Sequence, residues 1–419
     1  MLNTMDRSGG AARAAARLHR GLRNLDVDSR MLVQVRTSED NTVTGGSGKT
    51  AGASARMRLL LDQLPVMAHL HKQPGVFAPA LLPGTAWRRA NRLHADIIHL
   101  HWITKAFVAI SDIPRFNAPL VWTLHDMWPF TGGCHYDMGC GRYTSGCGTC
   151  PLLGSRRSDD LSARLLRRKR RALEAANLTI VSPSTWLADC ARGSELLHDV
   201  RIEVIPNGID LERFRPVPKP EARAALSIRP DKKVILFGAM GPTDDRRKGY
   251  DYLQAALQTL ARNGCTAELV IFGVQQSSRP PCSLPTRYTG KLDNDHDLVR
   301  LYSAADVFVA PSAQDNLPNT IMEALACSTP CVAFRVGGIP DMIRHRQNGY
   351  LANPGDSNDL AAGIEWVLGD AQRRTELSDN ACAMAVENYD LRTVAGRYKD
   401  LYVDILETAG GLGPPAGGA

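Results

Sequence analysis

Asp315 and Glu323 stand eight residues apart in the run Pro311-Ser-Ala-Gln-Asp315-Asn316-Leu317-Pro318-Asn319-Thr320-Ile321-Met-Glu323. The first acid falls in a loop and the second in the opening turn of a helix. The amides of Leu317 to Ile321 would present a helix N-terminus to a sugar or phosphate. Thr320-x-x-Glu323 also matches a capping box, in which Glu323 would satisfy the helix start. Arg246-Arg247-Lys248-Gly249 supplies three cations at a strand-to-helix turn. A lysine point charge beside planar guanidinium groups makes a diphosphate clamp, although a solvated basic turn has the same composition. Ser8-Gly9-Gly10 opens a long helix, where glycine lets the backbone approach a phosphate; a plain tight turn would use the same pair. His125-Asp126 ends a strand, and side chains there face the ligand crevice of a parallel sheet. A structural histidine is an equal reading.

Cys134, Cys140, Cys147 and Cys150, four of ten cysteines, crowd into 17 residues. Cys147-x-x-Cys150 has the spacing of a thiolate hairpin, and Cys134 and Cys140 would complete four zinc ligands, with His135 a further candidate. Redox disulfides or free thiols fit the same spacing. Thr44-Gly-Gly-Ser-Gly48-Lys49-Thr50 imitates a P-loop, but Val43 stands where a glycine is needed. The strand ending near Val35 is also separated from it by residues 36–41, so a flexible surface loop is expected. Eight basic residues between Arg156 and Arg171 make either a solvated helix face or a contact for anionic lipid or a pyrophosphate-bearing acceptor.

The elements that must position these residues alternate along the chain. Apolar runs at 31–35, 97–101, 120–124, 178–182 and 201–205 read as strands, then those at 234–237, 268–272, 306–310 and 331–334. Helical patterns lie between them, as at 11–25, 250–262 and 297–305. That alternation implies α/β architecture: parallel βαβ units in doubly wound sheets, two domains with a cleft between them. The expected boundaries are a first domain at 1–206 with a cysteine-rich insertion at 134–150, a proline-spaced linker at 207–230 and a second domain at 231–385. A C-terminal helix at 386–408 would pack back on the first domain, and a disordered tail would fill 409–419. Only Met1-Leu-Asn-Thr4 reads as a strand before the Gly9-Gly10 turn, so the first strand is either very short or begins upstream.

The 419 residues, 44% hydrophobic and 22% charged, exclude disordered and fibrous classes. A net charge of +7 suits a phosphorylated ligand or an anionic membrane surface, and is too small to argue for nucleic acid. No apolar run approaches the ~18 residues of a membrane span. The polar, glycine-rich start lacks a signal-peptide pattern, so a cytoplasmic protein is expected.

Taken in order and spacing, these motifs resemble the retaining GT-B glycosyltransferases of family 4. The resemblance also rests on Thr123-Leu-His125-Asp126, Val204-Ile-Pro-Asn-Gly-Ile-Asp210, Gly337-Gly-Ile-Pro340 and Asn348-Gly-Tyr-Leu351. Asp-Asn-Leu-Pro-Asn-Thr and the cysteine block are similar to the branch used in bacterial exopolysaccharide and colanic-acid-type assembly. The resemblance implies two Rossmann-like domains facing a central cleft, the first on the acceptor side and the second binding a nucleotide-diphosphate sugar. It implies that Glu323 holds the donor ribose, that Asp315 grips the transferred sugar, and that Lys248 with Arg247 or Arg246 neutralises the leaving diphosphate. Gly9 and Gly10 would face that diphosphate, the loop Asn316, Leu317, Pro318 and Asn319 would bind donor, and His125 would contact the sugar near its reacting carbon.

The implied reaction moves a sugar to a carbohydrate or lipid-linked acceptor with retention, at the inner face of the membrane. It needs no cofactor; a structural zinc is the one metal considered. Three positions depart from the family pattern: aspartate at 315 in place of glutamate, Thr243 where an arginine is common, and Ser328 where glycine is usual. A P-loop nucleotide hydrolase acting through residues 44–50 and a non-catalytic sugar-nucleotide or polysaccharide binder are the alternatives.

Overall fold

The computed structural model describes residues 1–69, 71–238, 245–275, 283–292 and 294–410. They form two compact units, Met1–Pro206 with the residues from Arg392 onward, and Asn207–Leu391.

The first unit is built on seven strands: β1 (Leu2–Met5), β2 (Met31–Val35), β3 (Val43–Gly46), β4 (Ile98–Leu100), β5 (Leu120–Thr123), β6 (Leu178–Ser182) and β7 (Ile202–Val204). All pair in parallel, in the order β3-β2-β1-β4-β5-β6-β7. Strands covered on both faces must be apolar nearly throughout, which is why β5 shows as the run Leu120-Val-Trp122 and β6 departs from it only at Thr179 and Ser182. β1 is only four residues long yet central, with Leu2 paired to Leu32 on one side and Leu100 on the other. The strand order reverses between β1 and β4, and open sheets of this kind bind ligands past the carboxyl ends of the strands at that point. Helix Leu391–Gly410 belongs to this unit. Its stripe Val394, Tyr398, Leu401 and Ile405, at helical spacing, packs with Leu18, Leu22, Val121, Val181 and Ile205.

The second unit repeats the plan with six parallel strands: β8 (Val234–Gly238), β9 (Glu268–Phe272), β10 (Thr286–Gly290), β11 (Val307–Ala310), β12 (Cys331–Phe334) and β13 (Gly349–Ala352). Their order, β10-β9-β8-β11-β12-β13, puts the reversal between β8 and β11. Helix Tyr250–Arg262 buries Tyr250, Leu253, Leu257 and Leu260 along one face.

Several sequence expectations need correction. Residues 44–50 are not a surface loop: they hold the end of β3, the single residue Ser47 and the start of helix Gly48–Met67. Residues 207–230 are not a free linker either. Ile209, Phe214, Ala222 and Ile228 are buried in the core of the second unit, so this stretch is held by apolar burial. The last helix starts at Leu391 and not near 386, because Asp390 is extended and bridges to Ile209, ending the preceding helix Ala371–Tyr389. The expected tail lies outside the described residues from 411 onward, as does Thr243. Among the described residues, no helix is long and apolar enough to cross a membrane.

Candidate active site

In the second unit, the two segments that flank the β8/β11 switch point carry the candidate chemistry. Asp245 accepts the Arg247 N–H at 3.0 Å and starts the single helical turn Arg246–Lys248. The turn ends at Gly249 with φ of 73°, and a Cβ there would lie 1.7 Å from the Pro311 carbonyl oxygen. Only glycine permits that approach. It brings the basic turn against the loop after β11, where Ala313 N–H donates to the Arg247 carbonyl at 2.8 Å. From the far side the Asp315 carbonyl sits against Gly337, whose φ is 55° and whose Cβ would meet that oxygen at 1.8 Å. Gly338 N–H donates to the same carbonyl at 3.1 Å.

The result is an ion cluster on Asp315. Lys248 Nζ stands 2.7 Å and an Arg247 guanidinium nitrogen 3.3 Å from Asp315 Oδ2, which also accepts from the Ser312 hydroxyl at 3.3 Å. Asp315 is only 6% exposed. Burial alone would raise its pKa, but Lys248 and then Arg247 overcome that and hold the carboxyl at about 2. Arg247 is further tied to Asp245 at 3.1 Å and to the Gln314 carbonyl at 3.2 Å. Arg246 is exposed and, among the described residues, stands outside this cluster.

Glu323 is fully buried in helix Asn319–Ala326, and the Tyr302 hydroxyl donates to its Oε2 at 3.2 Å. The helix starts after Pro318 with no side-chain cap, so the capping box expected from Thr320 and Glu323 does not form. Proline at that position fixes the entry backbone instead. Asn316 and Leu317 are buried in the same loop. Ser328, where the family usually has glycine, takes φ of 58°, the left-handed conformation that favours glycine.

In the first unit, Gly9 caps helix Gly10–Arg23 just past β1. Asp6, buried beside it, accepts Thr37 N–H at 2.8 Å and the Thr37 hydroxyl at 2.7 Å, tying the loops after β1 and β2 together. His125 follows β5, its Nε2 3.0 Å from Nδ1 of His101, the residue after β4. Burial pushes His125 down to about 4 against the opposing pull of Asp126, and burial drives His101 well below the ordinary range. Both imidazoles are therefore neutral near pH 7, and one donates to the other. His101 Nε2 is buried with no partner. A proton there would be an orphan donor, so the favoured tautomer carries it on Nδ1 and donates to His125. That leaves the His125 proton on Nδ1. Behind them, His99 bonds Tyr402 OH at 2.7 Å and Thr123 at 2.8 Å. His101 escaped the sequence reading, although two histidines in alternation at the end of a strand were a usable signal.

Asp126 is structural. It accepts from His135 Nδ1 at 2.6 Å, Trp102 Nε1 at 2.8 Å and Trp128 N–H at 2.9 Å. The four cysteines 134, 140, 147 and 150 all line one small cavity in the loop region that follows. They are free thiols, and among the described residues no three His, Cys, Asp or Glu groups stand in a geometry that could hold a metal ion. Residues 44–50 offer no phosphate loop, since one residue separates β3 from its helix and β3 itself absorbs Gly45 and Gly46.

Comparison with known proteins agrees with this architecture. Residues 8–213 match the model described as Glycosyltransferase Family 4, and residues 231–370 match Glycosyl transferases group 1. A D-inositol 3-phosphate glycosyltransferase of Thermobispora bispora is 28% identical over 74% of this chain and 71% of its own. Among solved structures, sucrose-phosphate synthase of Thermosynechococcus elongatus superposes with a TM-score of 0.68 at 19% identity, covering 97% of this chain and 96% of the other. Anabaena HepE in complex with UDP and glucose gives a TM-score of 0.61 at 18% identity, covering 96% and 99%. The two matched segments divide the chain as its two sheets do, and the chain belongs to the family 4 and group 1 glycosyltransferases of GT-B fold.

Proposed function

We propose that this glycosyltransferase takes a sugar from a nucleotide-diphosphate donor bound to the second unit and passes it, with retention, to a carbohydrate or lipid-linked acceptor. The role is assembly of exopolysaccharide or another cell-surface glycan, on the cytoplasmic side and in peripheral contact with the membrane. The observation that carries the reading is the Lys248–Asp315 pair at the β8/β11 switch point, with Arg247 beside it. Asp315 sets two cations in place before a diphosphate arrives. Such preorganised charge is usually the largest contribution where negative charge develops on a leaving group.

In the proposed reaction, the bond from the anomeric carbon to the phosphate oxygen breaks while a bond to the acceptor oxygen forms on the same face. The acceptor proton passes to the leaving phosphate. Lys248 and Arg247 neutralise that phosphate, Gly9 and Gly10 leave room for backbone contact with it, and Glu323 takes the ribose hydroxyls. The loop Asn316 to Asn319 lines the donor. His125, neutral at pH 7, serves the transferred sugar as a hydrogen-bonding group and not as a cationic acid.

The test is transfer from UDP-, GDP- and ADP-sugars to a panel of glycan, polyprenyl-phosphate and inositol-phosphate acceptors, with product anomers read by NMR. Inositol phosphate belongs there because curated relatives are named for D-inositol 3-phosphate. Release of nucleotide with an unchanged anomeric configuration supports the proposal. An inverted product removes retention, and donor binding without turnover on every acceptor leaves only a non-catalytic binder.

A further inference from the structure

Helix Gly48–Met67 of the first unit is packed with its polarity reversed. Met57, Leu60, Leu61, Leu64 and Met67 recur at helical spacing and so share one face, and each keeps between 48% and 59% of its surface in solvent. The inward face is polar. Asp62, buried, accepts the N–H groups of Ala80, Leu81 and Leu82 at 2.7–3.0 Å. Arg58 donates to the carbonyls of Pro83 at 2.8 Å and Ala106 at 3.2 Å, and Gln63 to that of Phe77 at 3.2 Å. Val66 is the one apolar side chain of this helix that is fully buried. Helix Gly10–Arg23 shows the usual order, with Leu18 and Leu22 buried and Arg20 and Arg23 exposed. The hydrogen bonds of Arg58, Asp62 and Gln63 thus hold the apolar stripe outward, where it forms a contiguous patch of the kind that marks a contact surface.

The charge around the stripe is of one sign. Lys49 and Arg56 are seven residues apart, hence on one side of the helix, and both are exposed. His71 and Lys72 follow, also exposed, and Val76 beyond them is 62% exposed. From Gly48 to Val76 the single acid is the inward Asp62. An anionic bilayer answers both features, with acyl chains for the stripe and headgroup phosphates for the cations. A second copy of this chain would instead bring the same cations to one seam with no exposed acid between them.

The other basic segment lacks this combination. On helix Leu161–Glu174, Arg164 and Arg167 pair with Asp159, Arg170 pairs with Glu195, and Lys169 is buried. None of the large apolar side chains of that helix is exposed.

We propose that helix Gly48–Met67 docks the protein on an anionic lipid bilayer. Met57, Leu60, Leu61, Leu64 and Met67 enter the boundary between headgroups and acyl chains, and Lys49 and Arg56 meet the headgroups. The helix lies in the plane of the interface, its apolar face about 5–10 Å deep. This gives the peripheral contact of the proposed function a defined surface, and it rests on that reading for placing an anionic cytoplasmic leaflet within reach.

The test is flotation of the full-length protein with vesicles of phosphatidylcholine alone and of phosphatidylcholine with about one-third phosphatidylglycerol. The anionic vesicles should bind about tenfold or more tightly than the neutral ones. Leu60→Ser with Leu64→Ser should weaken that binding by about tenfold or more. Lys49→Ser with Arg56→Ser should erase about tenfold of the preference for anionic vesicles. All four positions are exposed, so both double variants should melt with wild type. Vesicle binding needs neither donor nor acceptor, so its failure leaves the transfer reaction standing, and failed transfer leaves the docking surface standing. No binding to anionic vesicles, equal binding to neutral ones, or undiminished binding by the leucine pair would each overturn the proposal. So would a lipid-free dimer, seen by light scattering, that the leucine substitutions disperse.

Discussion

Two aspartates bracket β11 and use the same chemistry for different ends. Asp306 precedes the strand, paired with Arg223 at 2.7 Å, Lys219 at 3.0 Å and Arg374 at 3.6 Å, and accepts Val234 N–H at 2.8 Å. Its partners come from distant parts of the second unit, and Arg223 is as buried as the carboxylate it meets. Asp315 follows the strand and takes both cations from one turn. The Arg247 and Lys248 side chains keep 21% and 19% of their surface in solvent. A parallel sheet presents ligands to the carboxyl ends of its strands, so position along β11 separates a clasp from a site. A salt bridge identifies neither, nor does exposure of the cations, since Lys219 and Arg374 at Asp306 keep 40% and 20% of their side-chain surface in solvent; the end of the strand does.

The sharpest way to break the comparison is Asp306→Asn. It leaves Arg223 buried without its anion and should cost about 3–5 kcal/mol of stability, read by chemical denaturation. Transfer per folded molecule should stay at the wild-type level; a selective loss of activity would blur the two roles. Lys248→Met should do the reverse, lowering transfer by about 100- to 1,000-fold while costing only about 1–2 kcal/mol of stability, because Arg247 still faces Asp315. Coupled loss of fold and activity would make the Asp315 cluster a second clasp.

Acid should separate the sites further. The Asp315 carboxyl ionises at about 2 in the fold, below its ordinary 3.8, so the folded state favours the ionised form. That contributes about 2 kcal/mol, present in full above about pH 4 and lost as pH falls toward 2. Asp315→Asn should remove this part of the acid limb when unfolding curves are compared with wild type across that window. Identical limbs would contradict the ion-paired geometry. The smallest effect is expected from Lys49→Ala, within about 0.5 kcal/mol in stability and with nucleotide affinity unchanged. A loss of binding there would restore the P-loop reading.

Strands β2, β6, β9 and β12 are legible to the residue because both their faces are covered and their runs are apolar. The strands that escape, β3, β10 and β13, all lie at sheet edges. β3 reads Val-Thr-Gly-Gly and β10 Thr-Arg-Tyr-Thr-Gly, so these two edges, with less to bury, leave little apolar signal, whereas β13, Gly-Tyr-Leu-Ala, is buried throughout and is too short a run to stand out. At the candidate site the residue types were legible, but the partner of each was not. Lys248 and Arg247 reach Asp315, and Arg246 does not, because Gly249 and Gly337 let backbone segments approach at distances no other residue allows. Such contacts join positions far apart in the chain and leave no periodicity to read.

The central claim is that a nucleoside diphosphate binds at the Lys248, Asp315 and Glu323 end of the second unit. Isothermal titration of the full-length chain with UDP, GDP and ADP tests it most directly, on wild type, Lys248→Met, Glu323→Gln and Lys49→Ala. The account predicts that at least one of these nucleotides binds, that Lys248→Met and Glu323→Gln each weaken it by about tenfold or more, and that Lys49→Ala leaves it intact. Binding that survives both of the first two substitutions, or disappears only in Lys49→Ala, would contradict it.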